Sequence, residues 1–161
     1  MTLPYPHRIF DAVTDIAPET LRTLGVQGLL LDIDGTLMQT HDMMPKQPVL
    51  DWIKTMRDAG FALFIFSNNR HCARVKAFSE AVGLPWLHLA RKPLQRSFFK
   101  AAEQMGLSPA ELAVVGDQTY TDVLGARLFG CKALLVQSTD TYLPYFWPRR
   151  LLELPFRREK P

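Results

Sequence analysis

Apolar residues along this chain gather in five short runs, at residues 28–33, 61–66, 86–89, 112–115 and 133–136, interrupted only by Asp32 and His88. They do not alternate with polar positions, which is the pattern of strands buried on both faces of a parallel sheet. The intervening segments near residues 47–59, 70–82, 94–105 and 121–129 have helical length and spacing. Each is followed by a glycine (Gly60, Gly83, Gly106 and Gly130), a residue that closes a helix in the left-handed conformation without a Cβ penalty. A shorter helix is expected in "APETLRTLG", with Pro18 near its first position and Gly25 at its end. In "SPAEL", Ser108 and Glu111 have capping-box spacing around Pro109, predicting a single helical turn before the fourth strand.

This repeated strand-then-helix order predicts an α/β fold: a three-layer α/β/α Rossmann-like sandwich around a five-stranded, mainly parallel sheet. Ligands of such sheets sit beyond the carboxyl ends of the strands, where the strand order reverses. At those ends the sequence places Asp32 and Asp34, then Ser67, Asn68 and Asn69, then Arg91 and Lys92, then "GDQTYTD" from Gly116. Asp32 and Asp34 flank one residue, so persistent strand geometry would put both carboxylates on one side, while Gly35 and Thr36 turn the chain away. Carboxylates that close resist joint ionisation unless a cation or strong donors neutralise them. Asp117 and Asp122 add negative charge at a neighbouring strand end. Oxygen ligands without His or Cys favour magnesium over zinc.

Lys92, Ser67 and the turn amides supply a cation and several donors suited to phosphoryl oxygens. An aspartate can attack phosphorus, and a neighbouring carboxylic acid can protonate the leaving oxygen. Each piece alone has a plainer reading: a turn, a helix cap, a surface lysine. Their joint appearance at successive strand ends makes the plain readings a poor account of the whole.

Length and charge narrow the class. The 161 residues, 47% hydrophobic, suit one domain with one core. Two cysteines, Cys72 and Cys131, are too few for a disulfide framework and read as buried or incidental thiols. The net charge of +3 is accounted for by "PRRLLELPFRREKP" at the C-terminus, so no basic footprint for nucleic acid covers the body. No apolar run approaches the roughly 20 residues that cross a bilayer, and no secretion signal is recognisable, so a cytoplasmic location is expected.

In order, "DIDGT", Ser67, Lys92 and "GDQTYTD" resemble the four motifs of the haloacid-dehalogenase-like (HAD) phosphohydrolases. The lead-in "VTDIAPETLRTLGVQGLLLDIDGTL", with "SNN", "RKP" and "GDQTYTDVLGARLFG", is similar to the YqeG-like branch of subclass IIIA. The resemblance implies a magnesium-dependent phosphatase with Asp32 as nucleophile and Asp34 as general acid, then base. It implies Mg2+ held by the Asp32 and Asp117 carboxylates and the Asp34 carbonyl, with Asp122 supporting the metal's waters or Lys92. Ser67 and Lys92 would hold the phosphoryl oxygens and the Gly35 and Thr36 amides would cradle them. Asn68, counted with this phosphate-binding set, would orient the loop. Where many members of the branch carry Asn, this chain has Gly35.

Residues 38–66 and 70–91 leave no room for a cap domain, so the substrate phosphate is expected on something large, or the site is completed by a second copy. Relatives in the branch include phosphatidylglycerophosphate phosphatases, which makes a lipid head group the leading specific expectation. The extension at residues 140–161, with Tyr142, Tyr145, Phe146 and Trp147 before a basic, leucine-bearing stretch, suits peripheral contact with a membrane interface. It equally suits docking on the domain itself or on a second copy. A protein or nucleic-acid end as substrate, and a binding module without turnover, stay open. So do the roles of His41, Asp42 and Arg70.

Overall fold

A computed structural model describes residues 3–159; Lys160 and Pro161, at the end of the basic extension, lie outside the described residues. In chain order the elements are β1 (Arg8–Phe10), α1 (Pro18–Thr23), β2 (Gly28–Leu31), α2 (Gln47–Asp58), β3 (Ala62–Phe66), α3 (Cys72–Val82), β4 (Trp86–Leu87), α4 (Gln95–Met105), β5 (Leu112–Gly116), α5 (Leu124–Phe129), β6 (Lys132–Val136) and α6 (Phe146–Glu153). The sheet order is β1-β6-β5-β2-β3-β4 and every pairing is parallel. Among the described residues there are thus six strands rather than the expected five. The added β1 is a three-residue edge strand beside β6.

Side chains alternate between two cores, which explains the apolar runs. Leu29, Leu31, Leu63 and Ile65 pack with Trp52 and Met56 of α2 and Phe78 of α3. Leu30, Phe64, Phe66 and Val114 pack with Phe98 of α4 and Ala126 and Phe129 of α5. Burying a Leu, Ile or Phe side chain stabilises a fold by about 1.5–3 kcal/mol, so a polar residue in either register would be costly.

Several boundaries move from the expected ones. β2 stops at Leu31 because the Ile33 carbonyl turns to accept the amides of Thr36, Leu37 and Met38. α3 starts at Cys72 because Asn69 Oδ1 accepts the His71 amide in a turn before it. A π-helical turn, Thr119–Val123, precedes α5 where one helix over residues 121–129 was expected. The turn at Pro109–Glu111 forms with both the amide and the hydroxyl of Ser108 donating to Glu111. A loop and α2 fill the stretch before β3, and α3 and β4 fill the next, so no cap is inserted.

β2 is the hinge of the topology. The chain leaves it towards β3 and β4, then returns to β5 on its other side. The crevice between the ends of β2 and β5 is the switch point.

Candidate active site

Asp32 follows β2 and Asp117 follows β5, so the switch point delivers two acids to one crevice. The Asp32 amide donates to Val115 O at 3.0 Å, which extends the β2–β5 ladder by one bond and fixes the residue. Asp122 arrives from the π-helical turn, where its Oδ2 accepts the Gln118 amide at 3.1 Å. One ligand atom from each of Asp32, Asp117 and Asp122 lies within 4.8 Å of the others, and all three residues are buried.

Lys92 is the cation of this cluster. Its Nζ donates to Asp32 Oδ1 at 2.8 Å and to Asp122 Oδ1 at 2.6 Å, with its side chain 2% exposed. The loop that carries it has two non-glycine residues in the left-handed region, Leu89 at φ 50° and Arg91 at φ 53°. Such residues are uncommon and cost energy, so surrounding bonds must hold them. Asn68 does this: its Oδ1 accepts the Lys92 amide at 2.7 Å and its Nδ2 donates to the Lys92 carbonyl at 3.2 Å. Asn68 therefore holds the backbone of Lys92 and has both side-chain groups engaged.

Burial pushes the Asp32 carboxyl well above its ordinary 3.8, against the attraction of Lys92. Burial and the neighbouring Asp122 push Asp117 up to about 6, although Arg149 pulls the other way. For Lys92, burial acts to lower the value, but Asp122 and Asp32 outweigh it and the net shift is upward. Asp117 Oδ1 is buried without a hydrogen-bond partner. A buried carboxylate oxygen left without a donor, in a cluster of three acids with one lysine, fits a divalent cation.

Two glycines are required by close approach. Gly35 has φ +81°, and a Cβ there would lie 2.6 Å from Asp117 Oδ2. A Cβ on Gly116 would lie 2.2 Å from the Asp122 carboxyl carbon.

The Asp34 carboxylate is not one of the three clustered acids and has partners of its own. Its Oδ1 pairs with Arg74 Nη2 at 2.9 Å and its Oδ2 accepts from Asn69 Nδ2 at 2.7 Å. Because β2 ends before it, Asp34 and Asp32 have different partners. Ser67 is buried at the end of β3; its Oγ accepts the Asn69 amide at 3.1 Å, leaving the hydroxyl hydrogen available to an anion. The Gly35 amide donates to Met38 O at 2.8 Å and the Thr36 amide to Ile33 O at 3.1 Å, so both expected cradle amides are engaged within the turn. The Thr36 hydroxyl is buried and unpartnered.

Sequence reasoning placed Asn69 at this edge without a role, and it missed Arg74 and the C-terminal segment's reach into the site. Arg149 Nη2 lies 3.0 Å from Asp117 Oδ2, and Arg157 Nη1 donates to the Asp117 carbonyl at 3.1 Å. Between them Glu153, 1% exposed, accepts the Thr119 amide at 3.1 Å and pairs with Arg157 at 3.1 Å. The four-residue spacing of Arg149, Glu153 and Arg157 was the available signal: one helical stripe of alternating charge. Of the remaining candidates, Arg70 is exposed and His41 stacks beside Tyr142 with ring centroids 5.7 Å apart. Asp42 lines a cleft of about 400 Å³ with Thr36, Met38, Gln39 and Ser138.

A parallel sheet whose switch point gathers buried acids around a lysine belongs to a recognisable class of hydrolase. A match to the HAD-hydrolase-like family covers residues 89–142, including Lys92, Asp117 and Asp122. The chain is 34% identical over 144 residues to the probable phosphatase YqeG of Bacillus subtilis (strain 168), covering 88% of this chain and 83% of that one. The chain therefore belongs to the HAD superfamily of hydrolases, in its YqeG-like phosphatase family. It is also 27% identical to the mitochondrial phosphatidylglycerophosphatase GEP4 of Saccharomyces cerevisiae, over 70% of this chain and 68% of the relative. In fold it is similar to the deoxy-D-mannose-octulosonate 8-phosphate phosphatase of Haemophilus influenzae, with TM-score 0.55 and 17% identity over 70% of this chain and 69% of that one.

Proposed function

We propose that the chain hydrolyses a phosphomonoester through an aspartyl-phosphate on Asp32, with Mg2+ at the three-acid cluster. The observation that carries this reading is the arrangement of Asp32: Lys92 holds Oδ1, while Oδ2 has no hydrogen bond among the described residues. That oxygen is the nucleophile. It bonds to phosphorus as the ester P–O bond breaks, and Asp34 gives the departing oxygen its proton. Asp34 then takes a proton from the water that attacks phosphorus, which releases inorganic phosphate and restores the Asp32 carboxylate. Lys92 and the Ser67 hydroxyl hold the phosphoryl oxygens, Asn68 keeps Lys92 in place, and Gly35 and Thr36 form the turn beneath. Asp32, Asp117 and the Asp34 carbonyl would hold the metal, with Asp122 fixing Lys92. When bound, the ion supplies positive charge where negative charge accumulates in the transition state.

No cap is inserted beside the crevice, which suits a phosphate displayed on a large assembly. The similarity to a phosphatidylglycerophosphatase supports a lipid head group such as phosphatidylglycerophosphate. The test compares wild type with Asp32→Asn, in magnesium and in chelator, on phosphatidylglycerophosphate micelles and on a small chromogenic phosphate. Phosphate release from micelles that needs both Asp32 and magnesium is expected. Binding without release would favour a phosphate-binding module, and release from the small ester alone would remove the lipid.

A further inference from the structure

Helix α6 is turned the wrong way round for a surface helix. At 100° per residue, Phe146, Arg149 and Glu153 fall on one side, Trp147, Leu151 and Leu154 fall on the other, and Arg150 and Leu152 lie on the two borders between them. Surface helices of soluble domains put their apolar stripe against the core and their charges in water. Here the charged stripe points inward, where Arg149 and Arg157 grip Asp117 and Glu153 accepts the Thr119 amide. Only Phe146 of the apolar residues on this helix is buried. Trp147 is 65% exposed, Leu151 66%, Leu152 68% and Leu154 54%, and Tyr145 precedes them at 53%. The helix cannot roll over to bury this face without withdrawing three charges from the Asp117 loop. The apolar face is therefore fixed outward.

We propose that this outward face of α6 is a docking surface for an anionic lipid membrane, which it enters at the depth of the head groups. Charge selects the occupant. Arg150, half-buried, borders the apolar face, and exposed Arg158 follows Leu154 by four residues and donates to the Tyr5 hydroxyl; neither pairs with a carboxylate among the described residues. Lipid phosphates are complementary to them. A second copy docked on this patch would bring another Arg150 and Arg158 to the interface instead of anions complementary to them. Tyr145 and Trp147 have an apolar body and a polar edge, the combination that settles between hydrocarbon and water. Since α6 contacts Asp117 from its other side, docking would hold the crevice one helix diameter, ~10 Å, from the head groups. In that last respect the inference rests on the lipid reading above; the docking itself does not.

The test is flotation of the full chain carrying Asp32→Asn with vesicles of phosphatidylcholine alone and with phosphatidylglycerol mixed in. Strong binding to the mixed vesicles and weak binding to the neutral ones is expected. Trp147→Ser/Leu151→Ser/Leu154→Ser should weaken binding at least about tenfold, since each lost contact removes buried apolar surface. Arg150→Glu should lower binding to mixed vesicles only. Each exposed-face variant should keep the wild-type circular dichroism spectrum and, with Asp32 intact, wild-type turnover of the small chromogenic phosphate. Equal binding by wild type and triple variant, no binding by wild type, or a dimer that the triple variant splits while vesicles are ignored would each overturn the proposal. Release of lipid phosphate from micelles without vesicle binding would overturn docking and leave the phosphatase standing. Vesicle binding without release of any phosphate would do the reverse.

Discussion

Replacing Lys92 with methionine keeps much of its length and removes its charge from the centre of three buried acids. Lys92 makes two buried ion pairs, at 2.8 Å to Asp32 and 2.6 Å to Asp122. Removing one partner of a buried pair costs about 3–5 kcal/mol, because the remaining charge is left desolvated and uncompensated. For a chain of this size about 1 kcal/mol moves the midpoint of thermal unfolding by roughly 2–4 °C, so Lys92→Met should lower it by about 6–20 °C at pH 8 without metal. The sign of the pH effect follows from the acids. Asp32 and Asp117 are both raised above their ordinary 3.8, Asp117 to about 6, so the folded chain takes up protons before the unfolded one does. Their ionisation opposes folding above about pH 6, and that cost shrinks as the pH falls from 6 towards 4. Loss of Lys92 removes the attraction that holds Asp32 down, so Asp32 rises further and the deficit should narrow on acidification. Magnesium should also narrow it: at a fixed concentration, a tenfold tighter site in the variant adds about 1.4 kcal/mol. Thermal melts of both proteins at pH 8 and pH 5, with magnesium and with chelator, measure all three effects. A midpoint change under about 3 °C, or a deficit unaffected by pH and magnesium, would refute the reasoning.

Three further outcomes are expected. Arg74→Met should lower kcat about 10–100-fold with little change in KM, since it frees the carboxylate of Asp34; in an Asp34→Asn background it should cost nothing more, as steady-state kinetics of the four proteins will show. Gly116→Ala would place a Cβ 2.2 Å from the Asp122 carboxyl carbon and displace it from Lys92, so calorimetry should find magnesium binding weakened and the melt lowered. A thiol reagent at pH 8 should find one fast cysteine and one slow: Cys72 is exposed, whereas burial pushes the Cys131 thiol up to about 12, and it should react only on unfolding.

Legibility followed physical cause. The five apolar runs were readable because a strand covered on both faces cannot admit polar residues, and Leu29 to Leu31 show this with no exposed surface. The acids and Lys92 were readable because the strand ends of a parallel sheet share one edge. β1 was not, since "RIF" is three residues long on an edge where one neighbour suffices. Arg74 was hidden because its pairing with Asp34 depends on how α3 is rotated, which follows from the Asn69 turn before it. Gly35 and Thr36 were read as free amides, but the Ile33 and Met38 carbonyls that hold them belong to a turn whose closure is not encoded in residue types alone. The inward charges of α6 were read only as composition, because an apolar face left in water runs against the usual rule.

The grip of Arg149 and Arg157 on Asp117 has a consequence for synthesis. The acids are made early and late along the chain, but the guanidinium groups that steady Asp117 are made after all of them. A nascent chain that has already folded its sheet presents Asp32, Asp117 and Lys92 with one flank of the site bare. Completion of the site thereby waits on residues 149–157, and a product ending before them would keep Asp32, Asp117 and Lys92 while lacking the contacts that steady Asp117.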